Sequence, residues 1–148
     1  MGVDFTHKGK KYSSVQLQKG ILGMESTYGT NTTPRYESKF HNKLKANKEW
    51  VPTTAERRVI KERGYDQATK DFSTSYGPYQ ILPETAYRRS KPFAGNPEDL
   101  EDPATSTAVW LDIMKWMHKK SGGDLEKAIG MWNENPEYLD KMIPWMGK

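Results

Sequence analysis

GILGMESTYG, residues 20–29, sets a carboxylate, Glu25, at the end of an apolar helical pattern. Upstream, Ser13 or Ser14 can cap a helix, and Gln16 stands where a capping box reaches back to Ser13. Leu17, Ile21 and Met24 then recur on one helical face, and Gly29 is a stop signal. Glu25 is therefore expected in the last turn of the first helix. An isolated Glu after an apolar helix is usually a solvated helix-end carboxylate. Two later segments give this one its interest: SYGPYQILPETA from Ser75 and GGDLEKAIGMWNENP from Gly122.

Outward from that stretch the chain reads as mostly helical. Thr30 to Trp50 is polar, basic and aperiodic, and reads as loop with short strands. Thr53 and Glu56 form a second capping-box pattern ahead of Ala55, Val59 and Ile60, with Gly64 as the stop. Phe72 to Leu82 turns about Gly77 and Pro78, and Pro83 suits a first helical position with Glu84 in the first turn. Asp102–Pro103 opens a helix carrying Trp110, Ile113, Met114 and Met117, which Gly122 and Gly123 end. Asp124 caps the next, with Leu125, Ala128, Ile129 and Trp132 on one face. Asn135 and Pro136 stop it and open a short final helix through Tyr138, Leu139 and Met142. With no repeat, low-complexity tract or linker, residues 1–148 read as one compact domain. The fold class is mainly α, with a small strand element in the middle.

Composition bounds the function. Hydrophobic residues make up 34% of the 148, but five Trp and eight Tyr supply large contact areas, as suits an aromatic-rich surface. The net charge of +4 favours anionic partners such as cell-wall polymers, nucleic acid or acidic lipids. The charge is scattered and matches no recognition motif, which ranks nucleic acid last. The absence of cysteine excludes disulfides and thiolate chemistry. His7, His41 and His118 show no ligand spacing, so neither a metal nor another cofactor is expected. No stretch approaches the roughly 20 apolar residues of a membrane span. Met1 to Lys19 lacks the apolar core of a signal peptide. If the substrate lies outside the cytoplasm, something else must deliver the chain: a phage virion and its proteins, or a membrane-opening holin that lets it pass from the host cytoplasm to the periplasm and cell wall.

The three blocks, in this order, resemble the signatures of soluble lytic transglycosylases and goose-type lysozymes, lysozyme-like enzymes that cut the glycan strands of bacterial cell walls. The resemblance covers most of the chain but does not account for Thr30 to Thr74. It implies cleavage of the β-1,4 bond between N-acetylmuramic acid and N-acetylglucosamine, with Glu25 as the acid and Ser26 as the residue that follows it in the family. Ser75 to Gln80 resembles the family's Gly-Leu-Met-Gln segment, with Pro78 and Tyr79 in place of the usual apolar pair. Gly77 would let backbone approach the sugar, and Gln80 would position the muramic acid. Met131 to Pro136 resembles Ala-Tyr-Asn-Ala-Gly-Pro: Asn133 matches the Asn, and Trp132 stands where the family has Tyr. A Trp can stack on a sugar but supplies no phenol hydroxyl.

The chemistry needs a carboxylic acid that keeps its proton near neutral pH. A helix C-terminus and apolar neighbours such as Ile21, Leu22 and Met24 both raise a carboxyl pKa. The expected saccharide-binding set is Ser26, Tyr28, Tyr76, Gly77, Tyr79, Gln80, Trp132 and Asn133, with Tyr36 as a further aromatic near the blocks. Spacing reveals no second carboxylate. That suits a transglycosylase, in which the muramic acid's own 6-hydroxyl closes a 1,6-anhydro ring. The alternative is a hydrolytic muramidase, with Glu37 of PRYESKF, in a region loosely similar to a phage-type muramidase family, positioning water. Asp66, Asp71 and Glu134 are weaker candidates for that second acid. A rival of another class is a non-catalytic saccharide-binding phage structural protein, which would have no use for the acid.

Overall fold

The computed structural model describes residues 4–147. An antiparallel hairpin comes first, β1 (Asp4–His7) and β2 (Lys10–Ser13), with Asp4 opposite Ser13 and His7 opposite Lys10. Its two turn residues, Lys8 and Gly9, both have positive φ (50° and 78°), which matches the right-handed twist of the strands. This hairpin was not expected from the sequence. Its strands are four residues each and bury one side chain apiece, Phe5 and Tyr12, too short a pattern to recognise.

Helix α1 (Ser14–Ser26) starts on the expected capping box: Gln16 N donates to Ser13 Oγ (3.1 Å) and Ser13 N to Gln16 Oε1 (2.9 Å). It ends where Thr27, Tyr28 and Gly29 turn left-handed (φ 50°, 57° and 83°). Their amides satisfy the last carbonyls: Thr27 N donates to Gly23 O and Tyr28 N to Leu22 O, both at 3.0 Å. The helix therefore stops one residue past Glu25.

A strand β3 (Arg35–Tyr36) follows, then α2 (Ser38–Ala46), α3 (Thr54–Arg63) and α4 (Tyr65–Phe72). Strand β4 (Thr74–Ser75) pairs antiparallel with β3 and supplies the small central sheet that was expected. Helix α2 corrects the loop reading of Thr30 to Trp50. It buries only His41 and Leu44, so its stripe is too thin to show as a period. Helix α3 has the expected Thr53–Glu56 box and ends at Gly64.

The second half follows its start and stop residues. Helix α5 (Pro83–Arg89) leads through a 3₁₀ turn (Pro97–Glu101) into α6 (Pro103–Lys120), capped by Asp102. Then come α7 (Leu125–Trp132), capped by Asp124, and α8 (Tyr138–Met146). Helix α6 runs through the core, with Trp110, Ile113 and Met114 almost wholly buried. The closest packing joins the two ends of the chain, α1 against α8. A Cβ on Gly20 would stand 2.7 Å from Met142 Cγ, and one on Gly23 2.6 Å from Trp145 Cβ. Without these two glycines α8 could not lie against α1, and the residue that α8 presents to Glu25 would be displaced.

Candidate active site

A cleft of about 560 Å³ opens between the end of α1, the β3–α2 segment, the turn before α5, and the end of α7. Glu25, Glu37, Gln80, Trp132, Asn133 and Glu134 all line it. Three sequence blocks separated by tens of residues thus meet in one concavity, because α1, the β4–α5 turn and α7 each end there.

Glu25 is shielded, its side chain 15% exposed. The Tyr138 hydroxyl donates to Glu25 Oε1 at 3.0 Å. Arg35 donates from Nη2 to the Glu25 carbonyl at 2.7 Å, while its Nη1 stays 3.9 Å from Oε2, beyond hydrogen-bond range. Burial raises the Glu25 pKa above the usual carboxylate value. The Tyr138 hydrogen bond, the Arg35 charge and the Trp132 indole pull it down by less, and the Glu37 charge pushes it up again. The apolar shield differs from the expected one. Ile21 is fully buried in the core, and Leu22 and Met24 also pack against it. The apolar cleft wall is made by Phe40, Ile81, Leu82, Met117, Met131 and Trp132.

Tyr138 and Arg35 were not singled out in the sequence. Tyr138 is buried, and burial followed by the Glu25 charge pushes its phenol well above the normal tyrosine value, so it stays a donor. It supplies a phenol hydroxyl beside the Glu25 carboxyl. The only sequence signal was its place at the start of the last helix. Arg35 had none, since it comes from the aperiodic stretch.

Gln80 is buried, with a left-handed φ of 51°, a conformation that costs a non-glycine residue about 1–2 kcal/mol. Its Nε2 donates to Gly77 O (2.9 Å), and its Oε1 has no hydrogen-bond partner among the described residues. Asn133 Oδ1 accepts from Asn135 N at 2.9 Å, which leaves its amide N–H₂ for a ligand. Glu37 is exposed at the start of α2. Its amide donates to Ser73 O (2.8 Å), and the Ser75 hydroxyl lies 3.5 Å from Oε1.

Other residues of the expected set do not line the cleft. Gly77 has φ of 79°, and a Cβ there would sit 1.9 Å from Leu100 O. Its smallness admits the Leu100 backbone rather than a sugar. Tyr79 is a core residue: its ring stacks on Trp110 (5.2 Å) and its hydroxyl bonds Gln18 and Thr107. Tyr76 is buried and pairs through its backbone with Ile81. Ser26 closes the helix end, donating to Leu22 O (3.1 Å) and accepting from Gly29 N (2.8 Å). Tyr28 packs edge-on against Trp145 and donates to its carbonyl. The Tyr36 hydroxyl turns to His41 Nδ1 (2.6 Å). Of the weaker acids, Asp71 pairs with Arg63 (2.9 Å) and, like Asp66, is not part of the cleft lining.

Against known proteins, the family described as the Transglycosylase SLT domain matches residues 32–143. That span takes in Glu37, the turn holding Gln80, Trp132, Asn133 and Tyr138, and it begins after Glu25. No curated protein and no solved structure matches the chain.

Proposed function

This chain belongs to the Transglycosylase SLT domain family, lytic transglycosylases that cleave peptidoglycan, and from that premise we propose that Glu25 is its single acid and base. The observation that carries the proposal is the carboxyl of Glu25: shielded in the cleft wall, its pKa raised by burial, and hydrogen-bonded at Oε1 by the Tyr138 hydroxyl.

Because Tyr138 donates to Oε1, the proton of the neutral acid belongs on Oε2. From there it passes to the bridging oxygen as the bond to the muramic acid C1 breaks and C1 becomes cation-like. The carboxylate left behind is steadied by the Tyr138 hydroxyl and the Arg35 charge. It then takes the proton of the muramic acid 6-hydroxyl as O6 bonds to C1. Glu25 ends protonated, no water is consumed, and the product is a 1,6-anhydro end. The Asn133 amide offers a donor to the acetamido and hydroxyl groups, and Gln80 lines the same cleft. Trp132 offers an apolar face to a sugar ring.

Mass spectrometry of muropeptides released from cell walls tests this. The expected products are one water lighter than reducing-end fragments, and Glu25→Gln releases none. Equal release by the wild type and Glu25→Gln overturns the assignment. One observation favours the hydrolytic reading: Glu37 lines the same cleft, close enough for its charge to act on Glu25. On that reading Glu37 orients water, the ends are reducing, and Glu37→Gln abolishes their release. A phage setting, with virion proteins or a holin bringing the enzyme to the wall, completes the proposal. The cysteine-free chain suits work in either redox compartment. Lysis that requires a co-expressed holin, or the chain's presence in purified particles, tests that part.

A further inference from the structure

Two cations in the cleft have no part in this reaction. Lys39 and Lys43 stand one turn apart on α2, and both line the cleft. The opposite side of α2 buries His41 and Leu44, which fixes the lysines toward the cleft. Neither ammonium pairs with an acid among the described residues, whereas Arg35 is tied to Glu25. With Glu25 protonated, the acids left in the lining are Glu37 and Glu134, against Arg35, Lys39 and Lys43. The cleft is then net cationic, and its low-dielectric walls concentrate that field. The sugar rings and acetamido groups of the glycan are neutral and cannot answer it. The anionic groups of peptidoglycan are carboxylates on the muramic acid side chain: its own lactyl carboxylate when bare, or those of an attached peptide stem.

We propose that Lys39 and Lys43 form a subsite for a carboxylate of the muramic acid substituent. The inference rests on the function proposed above, but its test does not need turnover. Affinities are measured by calorimetry in the Glu25→Gln background, with and without Lys39→Gln plus Lys43→Gln. The probes are a neutral chitooligosaccharide, glycan stripped of its peptides, and glycan carrying peptide stems. An exposed ammonium–carboxylate pair is worth roughly two- to fivefold in affinity, so the double lysine change should weaken anionic glycan binding about three- to thirtyfold at low salt. The loss should shrink toward about 1 M salt, where the Debye length is roughly 3 Å.

Chitooligosaccharide affinity should not change, and Lys39→Arg plus Lys43→Arg should restore the anionic ligands. Loss only on the stripped glycan assigns the lactyl carboxylate, loss only on the stem-bearing glycan assigns the peptide, and loss on both means that the lysines take either carboxylate. Each of these results supports the subsite. No loss, or an equal loss on the neutral oligosaccharide, overturns it. Wall digestion by the wild type is read separately, so a failure of the enzymatic proposal is distinguishable from a failure of this one.

Discussion

Tyr138→Phe isolates one hydrogen bond. The change removes a hydroxyl that lies 3.0 Å from Glu25 Oε1 and leaves the buried ring in place. A hydrogen bond to a charged group contributes about 1.5–3 kcal/mol, and one to a neutral group about 0.5–1.5 kcal/mol. The phenol thus favours the carboxylate over the acid by a net of roughly 1–1.5 kcal/mol, or about one pKa unit at 1.36 kcal/mol per unit. Removing it leaves burial less opposed. The alkaline limb of the pH–rate profile, where on the proposed mechanism Glu25 loses the proton it donates, should move up by about one unit. Stability should fall more at alkaline pH than at acid pH, because only the ionised carboxylate is left badly paired. Wall-turbidity assays across pH and thermal melts at pH 4 and 9 measure the two effects. An alkaline limb that stays put or moves down in Tyr138→Phe, with melts showing the fold intact, refutes the reasoning.

Other consequences follow from the same coordinates. The Glu25 pKa is raised in the folded state, so its protonated form favours folding; that stability is complete below the unfolded value of 4.5 and is lost as pH rises through the folded one. Glu25→Gln should therefore melt higher than the wild type at pH 8 and show no advantage at pH 4, and a variant less stable at pH 8 contradicts it. Gly77→Ala should destabilise the fold by about 3 kcal/mol, from the left-handed φ and the collision with Leu100 O, as read by urea titration. A loss below about 1 kcal/mol would mean that the turn yields easily. His7 bridges Asp140 (2.8 Å) and Glu126 (3.0 Å), and the Asp140 hydrogen bond first, then Glu126, raises its pKa above 6.5. That stability is present below pH 6.5 and lost as pH rises through the higher folded value. Melting temperatures of His7→Gln and wild type should thus converge on the alkaline side and separate below it; a constant gap counts against the clamp.

Much of this architecture was legible because helix ends are written locally. Ser13 with Gln16, Thr53 with Glu56, and the Asp102 and Asp124 caps each stand where the structure starts a helix. Helices α2 and α4 were not legible. One buries two residues and the other three, too few to mark a period. Within the cleft, the sequence reached residues carried by local blocks: Glu25, Gln80, Trp132 and Asn133. It misassigned Gly77 and Tyr79, whose neighbours are Leu100 and Trp110, because a turn rich in Gly and Tyr reads alike whether it faces a ligand or the core. It missed Arg35 and Tyr138, whose roles depend on where distant segments fold.

That last failure bears on how such a site is built. The environment of Glu25 is not a property of the helix that carries it. The end of α1 only fixes where the carboxyl lies. The hydrogen bond to its Oε1 comes from a residue 113 positions further along. Delivery of that residue depends on Gly20 and Gly23, which have no polar group to contribute. Adding a methyl at either would bring a Cβ within 3 Å of the α8 side chains and force the two helices apart. Since α8 and Tyr138 move together, Gly23→Ala should act on the acid without touching it. The alkaline limb should shift in the same direction as in Tyr138→Phe, and adding Tyr138→Phe to Gly23→Ala should shift it little further, because both remove the same contact. Additive shifts in the double variant would show that the α1–α8 contact does not govern the acid.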